Sequence, residues 1–237
     1  MMKLNLVSTA SQSLSFLTLI QNPTDIITLD SNFFIPPDRS EDFPQARRFK
    51  FDNFKSIWLE PLFNTLPQLA IHEAVYNELL GSSKNYVDND LLGVCPKQIV
   101  IFSDANLSSH EVVEPNMIEE KIAAYTSYNP SLDNKADRGE VKSLTYISTK
   151  KLLYFCSHDA RALRLIDQTQ KLETNLDSVN AIRTYEVMYY LHKKAIGPLN
   201  IRPLYKYMYH LTNADKQCNP PWGDFVVQMD NLYNGII

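Results

Sequence analysis

The chain has 237 residues, 44% of them hydrophobic and 21% charged, which is ordinary globular composition and enough for one large domain with extensions. A net charge of −4 and only 6 glycines argue against indiscriminate nucleic-acid binding and against a glycine-rich phosphate cradle. Cys95, Cys156 and Cys218 are odd in number, far apart and without CxxC pairing, which argues against zinc and disulfide frameworks and for a reducing, cytoplasmic setting.

Residues 1–23 read as an N-terminal extension, with Leu14–Ile20 as a short helix or strand closed by Asn22-Pro23. Lys3 ahead of a serine- and threonine-broken stretch makes a poor signal peptide, and no apolar run reaches membrane-spanning length. A soluble protein with no membrane partner is expected. Ile26-Ile27-Thr28-Leu29 has the β-branched character of a strand buried on both faces, and Asp30 falls at its end. Residues 36–50 form a loop, and Phe54–Leu66 is partly helical with a break at Pro61. A helix is expected from Pro67 to Gly81, with Leu69, Ile71, Val75 and Leu79 as its apolar stripe. Glu78 then sits in its last turn, against the helix dipole, at a cost of about 0.3–1 kcal/mol. That placement suggests another role, with a solvated surface glutamate as the plain alternative.

Residues 82–97 read as loop and 98–102 as a strand ending near Asp104. Glu111–Tyr128 is helical in composition, broken by Asn129-Pro130. Asp137-Arg138-Gly139-Glu140 opens a helix through about Thr149, and its spacing is also that of a capping box. Leu152–Cys156 is a second buried strand, followed by Ser157-His158-Asp159 and a helix from Arg161 to Asp167, for which Asp159 is equally an N-cap. A weaker strand at 179–183 leads to Thr184 and a helix from Tyr185 to Ala195, closed by Gly197-Pro198. A tyrosine-rich helix and a polar tail complete the chain. Alternating strands and helices point to an α/β fold of three α/β/α layers around a mainly parallel sheet.

Asp30 and Asp159 each follow a strand, Glu78 closes a helix and Glu140 opens one, with Asp137 a turn away. Neighbouring parallel strands lie about 4.8 Å apart, so two strand-end aspartates can face one small volume. Clustered carboxylates repel and are driven to protonate, a conflict that a divalent cation removes. Oxygen-only ligands favour Mg²⁺ or Mn²⁺.

The order of these pieces resembles the PIN-domain nucleases: Ile27-Thr-Leu-Asp30-Ser-Asn, His72-Glu-Ala-Val-Tyr-Asn-Glu78, Asp137-Arg-Gly-Glu140, Phe155-Cys-Ser-His-Asp159, and the closing stretch around Thr184. The resemblance covers residues 24–197, with an insertion at about 81–110 and a C-terminal extension at 198–237. It implies a Mg²⁺- or Mn²⁺-dependent endoribonuclease with Asp30, Glu78, Glu140 and Asp159 as its acidic quartet. Asp137 is a fifth ligand or the true third one, and Asn32 and Thr184 are supporting residues. The family's frequent setting implies a toxin of a toxin–antitoxin or defence system, with an antitoxin or regulatory partner. A homodimer, a non-catalytic interaction module and a structure-specific DNA nuclease remain open alternatives.

Arg47, Arg48 and Lys50, interleaved with Phe49, Phe51 and Phe54, can grip a single strand of nucleic acid or form an ordinary surface loop. Arg161 and Arg164 can meet phosphate or simply be solvated. His72-Glu73 lacks the second histidine of a zinc helix, since position 76 is Tyr76. Asp104 reads as a turn residue, and His158 as a strand-end residue.

Overall fold

The computed structural model describes all residues except 1–4, 42, 109–110, 112, 196–198, 234 and 237, so Gly197 and Pro198 lie outside the described residues. In chain order the elements are α1 (Leu14–Gln21), β1 (Ile27–Leu29), α2 (Phe51–Phe54), α3 (Glu60–Thr65), β2 (Leu69–His72), α4 (Glu73–Glu78), α5 (Gly81–Asn85), β3 (Ile99–Phe102) and α6 (Val113–Ala123). They continue with α7 (Arg138–Thr149), β4 (Tyr154–Ser157), α8 (Ala160–Asp167), α9 (Thr169–Leu172), β5 (Asn180–Arg183), α10 (Thr184–Lys194), α11 (Arg202–Tyr209), α12 (Asn213–Cys218) and α13 (Trp222–Tyr233). The fold class is α/β. The chain divides into two compact units: a sheet unit of residues 24–34 and 68–182, and a helical unit of residues 1–23, 35–67 and 183–237.

In the sheet unit the strand order is β3-β2-β1-β4-β5. β1 pairs in parallel with both β2 and β4, and β2 pairs in parallel with β3. Every residue of β1, β2 and β4 is buried, as strands covered on both faces require. β3 is an edge strand of the same sheet, and its Val100 is half exposed. Val141, Leu144 and Ile147, at helical spacing on α7, join Ile118 and Ile122 of α6, Phe155 of β4 and Leu163 and Ile166 of α8 in one core. β1 lies centrally, with later strands added on either side of it. The order therefore reverses between β1 and β4, and the carboxyl ends of these two strands are where ligands of open α/β sheets gather.

The helical unit is held by aromatic packing. Phe16 of α1 meets Tyr189, Tyr190 and Tyr233 edge-on, and Tyr205 stacks on Phe225 at 4.8 Å. Tyr205 and Tyr209 are thus core residues of this unit. A buried ion pair of this unit joins Arg39 to Asp215 at 2.7 Å.

Four expectations are corrected. The helix expected over 67–81 is instead β2 followed directly by α4. Leu69–His72 is apolar on successive residues, and a short run buried on both faces carries no period that separates strand from helix. Residues 51–65 are helical without interruption: Pro61 sits in the first turn of α3, and the π-helical segment Lys55–Leu59 precedes it. Of residues 82–97, expected as loop, 82–92 are helical, in α5 and a π-helical segment, Tyr86–Leu92. The polar tail is helical as well, because Phe225, Met229 and Tyr233 repeat every four residues and are buried.

Candidate metal centre

Asp30 follows β1 and is buried. Its backbone N–H continues the sheet by donating to the Cys156 carbonyl at 3.0 Å. One carboxylate oxygen, Oδ1, accepts from the Ser31 N–H at 2.7 Å, so Asp30 does close its strand in the manner of an ordinary turn residue. The other oxygen, Oδ2, accepts from the Ser157 hydroxyl at 2.7 Å and from the Asn32 amide. Ser157 also accepts from the Asp159 N–H at 2.9 Å, which ties the ends of β1 and β4 together. Burial nevertheless pushes Asp30 up to about 6; the Ser157 and Ser31 hydrogen bonds oppose this, and the charges of Glu78 and Asp159 add to it.

Glu78, the last residue of α4, lies on the first turn of α7. Its Oε1 accepts from the Gly139 N–H at 2.9 Å. The carboxylate is unfavourable for its own helix and favourable for the positive end of the next one. Position 139 must lack a side chain for this contact. A Cβ there would overlap Glu78 Oε1 and lie 2.8 Å from its Cδ. Burial raises the Glu78 carboxyl, while the Gly139 and Ser31 hydrogen bonds hold it down.

Glu140 is 9% exposed, and its Oε1 is buried without a hydrogen-bond partner. Burial raises its carboxyl to about 8, and the charges of Asp159, Asp30 and Asp137 push the same way. The capping-box alternative does not hold. Asp137 is in the left-handed region (φ 56°) and makes no side-chain cap. Its oxygens instead accept from the Ser127 N–H at 2.8 Å and from Arg161 at 3.1 Å. Asp159 does cap α8 through the Arg161 N–H at 2.7 Å, and the Arg161 guanidinium lies 3.8 Å from its other oxygen. Both Asp137 oxygens are engaged, whereas Glu140 keeps one free. Of the two, Glu140 is the better third ligand.

The five acids therefore share one electrostatic field without sharing one point. Among the described residues, no three of them bring ligand atoms within 4.8 Å of one another. Like charges spread apart, and donors from Ser31, Asn32, Ser157 and Gly139 hold Asp30 and Glu78 back. The donor set fits a hard divalent cation. It is all oxygen, with Asp30 and Glu140 buried and Glu78, Asp137 and Asp159 half-buried, and it contains a carboxylate oxygen of Glu140 that lacks a hydrogen-bond donor.

A different trio, His72, Glu73 and Asp104, does bring its ligand atoms within 4.8 Å. Its hydrogen bonds already account for it. His72 Nδ1 accepts from the Ala74 N–H at 3.2 Å and caps α4, which leaves Nε2 to carry the proton toward Asp104 Oδ1 at 3.2 Å. The Asp104 N–H donates to Glu73 at 3.2 Å, and Lys142 stands 3.6 Å from Asp104. A cation at Nε2 would force a proton onto Nδ1, against the Ala74 N–H. The trio fastens β2 and α4 to the turn after β3.

Thr184 opens α10 in the helical unit and is buried there. Arg47, Arg48 and Lys50 are exposed in the helical unit, with Arg48 3.8 Å from Asp38. Phe54 is buried there and so presents no face for a base, and half-buried Phe49 packs edge-on against Tyr207. Arg164 is exposed on α8. Sequence reasoning missed Ser157 and Gly139. Gly139, between two candidate acids, carried the only advance signal, since a glycine inside a first helical turn costs about 1 kcal/mol unless something needs the space.

Fold and site together define a class: an α/β protein with a parallel sheet and a part-buried group of acids near its switch point. Comparison with family models, with curated proteins and with solved structures finds no match.

Proposed function

We propose that the sheet unit is a PIN-like, three-layered metal-dependent nuclease domain that hydrolyses RNA phosphodiesters. The observation that carries this reading is Glu140: a buried carboxylate with an unpartnered oxygen, facing the charges of Asp159, Asp30 and Asp137. Turns and caps account for Asp30 and Asp159, but nothing structural accounts for Glu140. Asp30, Glu78, Glu140 and Asp159 would hold Mg²⁺ or Mn²⁺. When bound, such a cation supplies positive charge to the phosphodiester and acidifies the attacking water. Asn32 and Ser157 aim Asp30, and the Gly139 N–H aims Glu78. The carboxylates orient water for in-line attack, leaving a 5′-phosphate and a 3′-hydroxyl.

The test is incubation of RNA and of DNA with the protein and Mn²⁺, beside an Asp30→Asn variant. RNA is cleaved by the wild type, and the rate falls by at least ~100-fold in the variant. Undiminished cleavage in the variant removes Asp30 from the mechanism. Preference for DNA moves the reading to a DNA nuclease. A melting temperature unaffected by Mn²⁺ returns the unit to a non-catalytic interaction module.

A further inference from the structure

Beside the acids, a cleft of about 480 Å³ opens within the sheet unit, lined by Ala74, Asn77, Glu78, Leu80, Lys135 and Arg138, with Asp133 completing the wall. Its size is that of a small-ligand site. Glu78 belongs to both the acid cluster and the cleft, so whatever fills the cleft lies against the candidate metal centre. Leu80 is 78% exposed, an apolar side chain that the fold leaves uncovered at this wall. Arg138 is held flat: its Nε and Nη2 donate to Asp133 at 2.7 and 3.0 Å. Asp133 is itself braced by the Tyr128 hydroxyl at 2.8 Å. The guanidinium is thus ordered by the fold itself, and the 30% exposed side chain lines the cleft.

We infer that this cleft is a base-recognition pocket, which receives one nucleobase of single-stranded RNA next to the phosphate presented to the acids. The inference rests on the nuclease reading and names its substrate more closely. A fixed guanidinium plane and an apolar wall suit the faces of an unstacked base. The Asn77 amide carries both a donor and an acceptor, which can read a base edge. Lys135 is exposed at the rim and supplies a cation for the adjoining phosphate. A duplex, whose bases are stacked and paired, offers no such base.

The probes are four 5′-fluorescein RNA hexamers, one for each base, followed by fluorescence anisotropy with Ca²⁺ in place of Mn²⁺, so that an oxygen-liganded cation is present without one that acidifies the attacking water well. The wild type prefers one base over the others by about fivefold or more. Leu80→Asp and Asn77→Ala remove that preference, while Lys135→Glu weakens all four hexamers alike. Leu80 is exposed, and melting temperatures within a few degrees of wild type confirm that the variants fold. Equal binding of all four hexamers, or a preference that survives both Leu80→Asp and Asn77→Ala, overturns the pocket. The nuclease reading fails separately. A base preference lost in Leu80→Asp, in a protein that cleaves no RNA, supports the pocket and sinks only the enzyme. Cleavage lost in Asp30→Asn beside a featureless binding profile sinks only the pocket.

Discussion

Replacing Glu140 with glutamine keeps the shape of the side chain and removes its charge. Its carboxyl is raised from 4.5 to about 8 in the folded state. An acid raised on folding binds its proton more tightly in the native state, so stability falls as pH climbs from the unfolded value toward the folded one. At about 1.4 kcal/mol for each tenfold change in proton affinity, the total penalty has an upper limit of roughly 5 kcal/mol. Asp30, raised to about 6, completes most of its own loss at lower pH. Between about pH 6.5 and 8.5 the Glu140 share alone comes to about 2 kcal/mol. Urea denaturation in EDTA at those two pH values measures it. The wild type loses roughly that amount, and Glu140→Gln loses much less and is the more stable protein at the higher pH. Saturating Mn²⁺ closes the gap by stabilising only the wild type. A variant that is less stable than wild type at pH 8.5 in EDTA, with an unaltered pH slope, would mean that Glu140 is not held against its neighbours' charge, and the metal-centre argument would lose its support.

Gly139→Ala displaces the Glu78 carboxylate, the far end of a flexible side chain, and changes the unfolding free energy by less than about 1 kcal/mol, since alanine's better helix propensity offsets the displaced hydrogen bond. It also abolishes thermal stabilisation by Mn²⁺, and a variant still stabilised by Mn²⁺ would show that Glu78 is not a ligand. Arg161→Gln takes away the cation that the chain places between Asp137 and Asp159. Titration calorimetry should then find Mn²⁺ bound more tightly, by up to roughly tenfold, since less positive charge opposes entry; weaker binding would instead assign Arg161 a supporting role. In the helical unit, Arg39→Ala strands Asp215 without its partner in a closed environment and costs about 3–5 kcal/mol, read by urea denaturation. An Arg39→Met, Asp215→Leu double variant should recover most of the loss.

The parallel α/β class was legible because Ile27–Leu29 and Tyr154–Ser157 are β-branched or aromatic runs that stop at polar residues, a pattern that strands covered on both faces impose. The same burial hid β2. Leu69–His72 has no alternation, and α4 follows without a loop, so the two read as one helix. Four of the acids could be found because each stands next to a recognisable strand or helix end. What separates Glu140 from Asp137 was not legible: it depends on Ser127 and Arg161, which reach Asp137 from segments 10 and 24 residues away. Asp104 and Arg138 show the same limit, since their ion pairs with Lys142 and Asp133 follow from three-dimensional proximity rather than from any local pattern.

The two units are interleaved along the polypeptide, and this governs how the chain can be made and cut. β1 leaves the ribosome early, yet its partner β4 ends at Ser157 and the sheet unit is incomplete before residue 182 of 237. The helical unit waits longer still, for Tyr233. The sheet unit cannot close before residue 182 has been made nor the helical unit before Tyr233, so the early apolar segments wait for distant partners. Proteolytic or genetic trimming meets the same obstacle. A fragment spanning 24–182 keeps residues 35–67, including Phe54 and Trp58, but loses the rest of the unit that buries them. Isolating the sheet unit as a functional body therefore requires replacing that excursion with a short linker, not merely shortening the ends.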